Sequence, residues 1–172
     1  MNYEHTPGIA NKLDTQWPND SQIPLSKERY TLVMFAHPQC ACTRASIAEL
    51  GRLIAHCKIQ PKSYLLFISP KSMPFGWEKT GLWHSAQTIP GVTVLSDING
   101  IEAHRFNSVT SGQTMIYDTK GKIIFSGGIT GSRGQEGDNL GLNSAILALQ
   151  VHPKKNQTTS VFGCSLVSSS SR

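Results

Sequence analysis

Cysteine is scarce in this sequence. Cys40, Cys42, Cys57 and Cys164 are the only four among 172 residues, which is too few for a fold held together by disulfides. A chain of this length can instead bury enough apolar surface to fold around its own core. Cys40 and Cys42 nevertheless stand one residue apart, and a close pair of thiols indicates redox or metal chemistry.

Long apolar runs are missing as well. No run in the sequence approaches the roughly 18 residues that a membrane-spanning helix needs. The first residues, MNYEHTPGIANK, lack the basic start and apolar stretch of a secretory signal. We therefore predict no membrane span and, for the sequence as written, a cytoplasmic protein. With a further segment upstream, the protein would be periplasmic or membrane-tethered.

Basic residues are in excess but are not clustered. Sixteen Lys and Arg against eleven Asp and Glu give a formal net charge of +5. These basic residues are scattered, and no window combines them with aromatic residues in the way a nucleic-acid surface does. The charge pattern therefore predicts no nucleic-acid partner.

The distribution of polar residues predicts one domain with two polar ends. Hydrophobic residues make up 38% of the chain and charged residues 16%, which is typical of a soluble globular protein. We assign 1–26 to a polar N-terminal extension, 27–152 to the folded domain, and 153–172 to a polar C-terminal tail that carries the short motif VFGC. Because both ends are rich in polar residues, we expect them to be loosely packed.

The apolar pattern of the domain predicts alternating strands and helices. Two runs, 30–36 and 63–69, have the composition of buried strands, and the segment between them repeats apolar residues at helical spacing. The further predicted elements are a short helix within 74–90, a strand at 91–97, a helical turn at 99–106, a β-hairpin at 114–128 and a closing helix at 138–150. This order predicts an α/β fold, a mixed sheet with helices on both faces.

The cysteine pair follows the first predicted strand and opens the first predicted helix. Functional groups in such sheets gather at the carboxyl ends of the strands. A thiol in the first turn of a helix faces unpaired amides and the positive end of the helix dipole, which favours the thiolate. We expect both Cys40 and Cys42 to benefit, and Arg44 in the same turn adds positive charge.

The segment VMFAHPQCACTRASIAEL resembles the strand, Cys-x-x-Cys and helix pattern of the thioredoxin-like superfamily, most closely the TlpA/ResA-type thiol-disulfide oxidoreductases. The resemblance spans 31–150. It places Cys40 on the nucleophilic cysteine of that family, Cys42 on its usual proline and Thr43 on its resolving cysteine. Gly112 stands where the family has a cis-proline.

A narrower resemblance adds the last cysteine. The motifs HPQCACTRAS, TSGQTMIYD, FSGGITGSRGQEGDN and VFGC are similar to those of bacterial thioredoxin-like proteins labelled RedB, whose members end in Phe-Gly-Cys. If the tail folds back, Val161 and Phe162 would dock while Gly163 turns the chain. Cys164 would then lie within reach of Cys40.

These resemblances imply a thiol-disulfide oxidoreductase that acts on protein or small-molecule thiols and disulfides, uses an unidentified reductant and needs no cofactor. Cys40 would be the nucleophile, and Cys42 or Cys164 would resolve the mixed disulfide. The predicted substrate-binding residues surround the thiols in the sequence or line the groove beside Gly112: His37, Pro38, Thr43, Arg44, Ser111 and Gly112.

Two other functions remain open at this point. Cys40, Cys42, His37 and Cys164 offer soft ligands suited to copper or zinc, although their spacing matches no familiar metal motif and we assign no metal ligands. Alternatively, the domain is a non-catalytic thioredoxin-like module that binds a partner through the groove at Gly112. Cys57 ends the first helix, far from its N-terminus, and is expected to be an inert buried thiol.

Overall fold

A computed structural model describes residues 5–167 of the chain. Within these residues, six strands form one sheet in the order β3-β2-β1-β4-β5-β6. The strands are β1 (Thr31–Ala36), β2 (Lys62–Ser69), β3 (Val92–Ile98), β4 (Thr114–Tyr117), β5 (Ile123–Gly127) and β6 (Gln157–Thr158). Strands β1, β2 and β3 are parallel, β4 runs against β1, and β5 runs against β4 and alongside β6.

Strand β1 lies inside the sheet, and all six of its residues are buried. A strand covered on both faces can be almost continuously apolar, as TLVMFA is. Its alternate side chains point to opposite faces. Leu32 and Met34 therefore belong to one core, whereas Val33 and Phe35 belong to the other.

The described helices cover both faces of the sheet. They are α1 (Ala41–His56), α2 (Gly81–Gln87), α3 (Ile101–Arg105) and α4 (Leu140–Val151). Helices α1, α2 and α4 pack on the face of Leu32, through residues such as Leu50, Trp83 and Ala145. Helix α3 packs on the opposite face through Ala103. The predicted mixed sheet with helices on both faces is confirmed.

The hairpin predicted at 114–128 forms as β4 and β5. The Asp118 carboxylate accepts hydrogen bonds from the amides of Lys120 and Lys122. Gly121 has φ +81°, a conformation that glycine adopts without steric cost. The reversal sets β4 antiparallel to β1, so the residues that lead into β4 lie at the carboxyl end of β1.

Both predicted polar ends are exposed over much of their described length, and a few buried residues anchor them to the domain. On the N-terminal side, Ile23 is buried and the Trp17 ring lies edge-on to Phe106, with centroids 5.0 Å apart. On the C-terminal side, Val161 and Leu166 are buried. A few isolated apolar residues suffice to anchor a polar segment when the domain offers an uncovered apolar face.

Other features of these ends could not be predicted. Strand β6 consists of two exposed polar residues, so its sequence carries no apolar signal. The division of the chain at residues 26 and 153 describes composition and stays a prediction. Residues 1–4 and 168–172 of the two predicted ends lie outside the described residues.

None of the helices within residues 5–167 combines the length and the apolar character needed to cross a bilayer.

The packing of Ile23 generates a stability prediction. Ile23→Ala removes a side chain that is 4% exposed, and we expect the free energy of unfolding to fall by about 2–5 kcal/mol. Ile9 is 72% exposed, so Ile9→Ala should change it by no more than about 0.5 kcal/mol. Urea denaturation of both variants measures the difference. Equal small effects would mean that the N-terminal segment does not contribute to the core.

Candidate functional site

Three cysteines meet at the carboxyl end of β1. Cys40 is the N-cap residue of α1, directly after the turn that leaves the strand, and Cys42 lies in the first turn of the same helix. Cys164 arrives from the C-terminal tail, and its Sγ lies 2.7 Å from Cys40 Sγ. The three sulfur atoms all lie within 4.8 Å of one another. All three thiols are free, without a disulfide.

The three thiols differ in acidity. Burial raises the pKa of Cys40, but hydrogen bonding with the Cys164 thiol and with the backbone of Cys164 and Cys42 outweighs this effect, so the pKa of Cys40 is lowered. Burial and the hydrogen bond with Cys40 raise the pKa of Cys164 to about 12. Of the two thiols, Cys40 is therefore the more readily deprotonated.

Cys42 does not share this activation. Burial and the charge of Cys40 raise the pKa of Cys42, although Arg133 opposes the shift. Two thiolates this close repel each other, so the helix N-terminus can favour only one of them. The expectation that the first turn of α1 favours both thiolates is therefore wrong for Cys42.

Arg133 supplies the positive charge of the site. Its Nη1 donates a 2.7 Å hydrogen bond to the Gly163 carbonyl oxygen, and its guanidinium lowers the pKa of Cys42 and Cys164 against the effects of burial. Arg44, which the sequence suggested for this role, is exposed on α1. Arg133 lies in the Gly-rich loop that precedes α4.

A set of hydrogen bonds fixes the turn beneath the cysteines. The Ser111 hydroxyl accepts from the His37 amide at 2.9 Å and lies 2.9 Å from Thr43 Oγ1. Thr43 Oγ1 donates to the His37 carbonyl oxygen at 3.0 Å. The Thr80 hydroxyl donates to the Pro38 carbonyl oxygen at 3.1 Å. The predicted residues His37, Pro38, Thr43 and Ser111 are thus brought together and hold Cys40 in place.

His37 is half-buried beside the turn. Its ring meets Trp77 edge-on with centroids 5.6 Å apart, and burial lowers its pKa. The ring is therefore neutral at neutral pH. Its Nδ1 accepts a 3.2 Å hydrogen bond from the Gln39 amide, which stabilises the turn. Within the described residues, His37 is not part of the group of potential metal ligands formed by the three cysteines.

Gly112 lies where β1 ends and β4 is about to begin. Its amide donates to the Phe35 carbonyl oxygen at 2.8 Å. Its φ of +92° is closed to proline, whose ring fixes φ near −65°. A Cβ at this position would also lie 2.9 Å from Ser46 Oγ on α1. The backbone conformation and the approach of α1 thus explain a glycine here.

The C-terminal tail pairs with the segment that precedes Gly112. The Ser111 amide donates to the Cys164 carbonyl oxygen at 2.8 Å, and the Leu166 amide donates to the Val109 carbonyl oxygen at 2.8 Å. Thr110 and Ser165 form an antiparallel bridge between these contacts. The tail therefore lies in the predicted groove and pairs with residues 109–111 in the antiparallel direction.

The chain was compared with known proteins. No protein-family model and no curated protein matches its sequence. Among similar solved structures, an uncharacterized conserved protein from Geobacillus kaustophilus gives a TM-score of 0.66 at 18% identity, over 98% of this chain and 92% of that one. A hypothetical protein from Sinorhizobium meliloti 1021 gives 0.66 at 14% identity, over 94% and 97% of the two chains.

A third similar structure has a named fold. The pneumococcal exposed lipoprotein thioredoxin from Streptococcus pneumoniae strain TIGR4 gives a TM-score of 0.52 at 12% identity, over 72% of this chain and 85% of that one. This chain has a thioredoxin-like fold. The thioredoxin-like fold that the segment VMFAHPQCACTRASIAEL implied is thereby confirmed, whereas the narrower resemblance to the RedB-labelled proteins stays a prediction.

The thioredoxin-like fold brings most of the predicted site residues together, but not all. Cys40, Cys42 and Cys164 form one cluster, and Gly112 lies at the groove beside it. The assignment of roles to these residues, and of substrate binding to Arg44, stays a prediction. Cys57 lies at the far end of α1, where its Sγ is 3.2 Å from the Leu53 carbonyl oxygen.

The contact between Cys40 and Cys164 generates a titration prediction. Cys164→Ala removes a hydrogen bond that favours the Cys40 thiolate, whereas burial still favours the thiol, so the pKa of Cys40 should rise. The pH dependence of Cys40 alkylation by iodoacetamide, followed by peptide mapping, measures it. Cys57→Ala is the matched control and should leave the Cys40 profile in place. A Cys40 profile that is the same with and without Cys164 would contradict this account of its acidity.

Proposed function

We propose that this thioredoxin-like protein carries out thiol-disulfide exchange with Cys40 and Cys164 as its redox pair. The observation that carries the proposal is the 2.7 Å contact between the two sulfur atoms at the N-terminus of α1. Cys40 is held at the start of α1, and the Cys164 backbone is already bound to Ser111. Oxidation would therefore join the two thiols without moving a distant segment.

The acidities of the pair support this chemistry. In the reduced protein Cys40 is the favoured thiolate, and thiolates are the nucleophiles and the good leaving groups of disulfide exchange. Cys164 keeps its proton and is the partner thiol. Oxidation of the pair passes two electrons to an acceptor disulfide, which becomes two thiols by taking up the Cys164 proton and one proton from water.

Cys164 is a better partner for Cys40 than Cys42 is. A disulfide between Cys40 and Cys42 would close a small ring across a single residue at the start of a helix, a geometry that departs from that of relaxed disulfides. Cys164 approaches from another segment and is free of this constraint. We assign Cys42 to the surroundings of the pair, where its thiol lies close enough to exchange with either sulfur.

The substrates proposed are protein or small-molecule thiols and disulfides, with a separate reductant that regenerates the dithiol. Substrate binding by main-chain contacts at Ser111 and Gly112 would require the tail to leave the groove, because the Ser111 amide is bound to the Cys164 carbonyl oxygen. The predicted cytoplasmic location, with its periplasmic or membrane-tethered alternative, also stays a prediction.

A thiol count in graded redox buffers tests this function. In buffers of reduced and oxidised dithiothreitol, the wild type and Cys42→Ser should lose two alkylatable thiols in one cooperative step. Cys164→Ser should lose that step, and Cys57→Ser, the matched control, should keep it. Peptide mapping should place the disulfide between Cys40 and Cys164.

Two results would contradict the proposal. If Cys40 remains alkylatable in the wild type at every buffer ratio, the protein does not cycle between dithiol and disulfide. If a Cys40→Ser/Cys164→Ser variant keeps full biological activity, the protein acts as a non-catalytic binding module instead.

Metal binding is a second candidate function, because three sulfur atoms lie within 4.8 Å of one another. Soft thiolate ligands select Cu(I) over harder ions. Three thiolates carry three negative charges, which Arg133 and the N-terminus of α1 would partly offset. Zinc takes four ligands in closed sites, so this three-sulfur group suits copper better.

Anaerobic competition with the Cu(I) chelator bathocuproine disulfonate tests the copper site. If the site binds copper, the reduced wild type should withdraw one equivalent from the chelator, since all three thiolates contribute. Cys40→Ser, Cys42→Ser and Cys164→Ser should each compete less well, whereas Cys57→Ser should match the wild type. Equal competition by the wild type and the three cysteine variants would exclude the three-sulfur site.

A further inference from the structure

Cys40 lies beneath the C-terminal tail. Its residue is only 2% exposed, although it is the nucleophile candidate of the site. Cys164 of the tail lies against its Sγ, and the tail is held there by the pairing of Cys164 with Ser111 and of Leu166 with Val109. Cys42 is also buried, at 8% exposed. A substrate therefore cannot approach Cys40 while the tail is in place.

Hydrogen bonds hold the tail to several parts of the domain. The Val161 carbonyl oxygen accepts from the Gly8 amide at 2.7 Å, and the Gly163 carbonyl oxygen accepts from Arg133 at 2.7 Å. Gly163 packs so closely on Ser111 that an added Cβ would collide with the Ser111 carbonyl oxygen. The glycine of the VFGC motif thus allows the tail to lie flat in the groove.

Cys164, in contrast, is only half-buried and borders an opening. A cavity of about 330 Å³ is lined by Cys164, Arg133 and Thr110, among others, but by neither Cys40 nor Cys42. This volume lies at the lower end of the range for small-molecule sites. Arg133 gives the cavity a positive charge, which attracts a thiolate.

We propose that Cys164 is the sulfur attacked by substrate thiols, that these are small-molecule thiols entering through the cavity at Arg133, and that the tail shields Cys40 from direct attack. This inference rests on the proposed redox pair and reverses the order that the sequence predicted, in which Cys40 itself meets the substrate. The tail occupies the groove beside Gly112, and Cys164 is the cysteine that a substrate reaches from solvent.

The proposed exchange takes place in two steps. In the oxidised protein, a substrate thiolate attacks Cys164 Sγ, forms a mixed disulfide with it and expels Cys40 as a thiolate at the N-terminus of α1. A second substrate thiolate then attacks the substrate sulfur of the mixed disulfide and expels Cys164, which takes up a proton. Two substrate thiols become one disulfide, and the Cys40–Cys164 disulfide becomes a dithiol. The protein's own disulfide is the oxidant.

The first test maps the mixed disulfide. Oxidised Cys42→Ser protein, which cannot pass the adduct to Cys42, is mixed with glutathione, quenched in acid within the first turnover, alkylated and digested. We expect glutathione on the Cys164 peptide and the alkyl group on Cys40. Glutathione on Cys40 with alkylated Cys164 would overturn the proposal.

The second test measures the shielding in reduced protein, so it does not depend on disulfide formation. In a Cys42→Ser/Cys164→Ser background, only Cys40 and Cys57 remain to react with iodoacetamide. Gly163→Ala should lift the tail and speed Cys40 alkylation roughly tenfold or more, as expected for an overpacked contact. Cys57 serves as the internal reference and should react at an unchanged rate.

The outcomes separate this inference from the proposed function. Gly81→Ala is the control, because a Cβ there meets no atom within 4 Å, and it should leave Cys40 as slow as in the parent. If Gly163→Ala does not change the Cys40 rate, the tail is not a shield and the inference fails. If shielding is found but no disulfide forms in graded redox buffers, the proposed function fails instead.

Discussion

The hydrogen bond from the Ser111 amide to the Cys164 carbonyl oxygen, 2.8 Å long, is the contact on which the site depends. It places a cysteine from the end of the chain against the cysteine that opens α1. The Ser111 hydroxyl also accepts a hydrogen bond from the His37 amide and contacts the Thr43 hydroxyl. One residue thus fixes the turn that carries Cys40 on one side and the tail that carries Cys164 on the other.

The acidities within the cluster follow from this arrangement. Burial alone would keep all three thiols protonated. Hydrogen-bond donors converge on Cys40 and overcome its burial, whereas Cys164 and Cys42 are each penalised by the charge of Cys40. Compact packing therefore makes Cys40 the most acidic of the three thiols, which matters for both disulfide exchange and the copper alternative.

Much of the domain could be predicted because its signals are local. The apolar run before Cys40 and the helical spacing after it predict β1 and α1, and the Lys-Gly turn predicts the hairpin. The resemblance assigned Cys40 to the end of β1 and Gly112 to the segment that leads into β4, and both lie at this edge of the sheet. Arg133, by contrast, was hidden among exposed-looking residues of a Gly-rich loop. Its role depends on the tail carbonyl oxygen that it binds, and no local pattern reports such a contact.

The sequence by itself determined the order of strands and helices and the position of Cys40 at a helix N-terminus, since hydrophobic periodicity and capping act over a few residues. Tertiary structure alone decided which cysteine lies next to Cys40. Cys40 and Cys164 are 124 residues apart in the chain, and only the pairing of the tail with residues 109–111 brings them together. The same pairing sets Cys164 against Cys40 on one side and at the border of the cavity on the other.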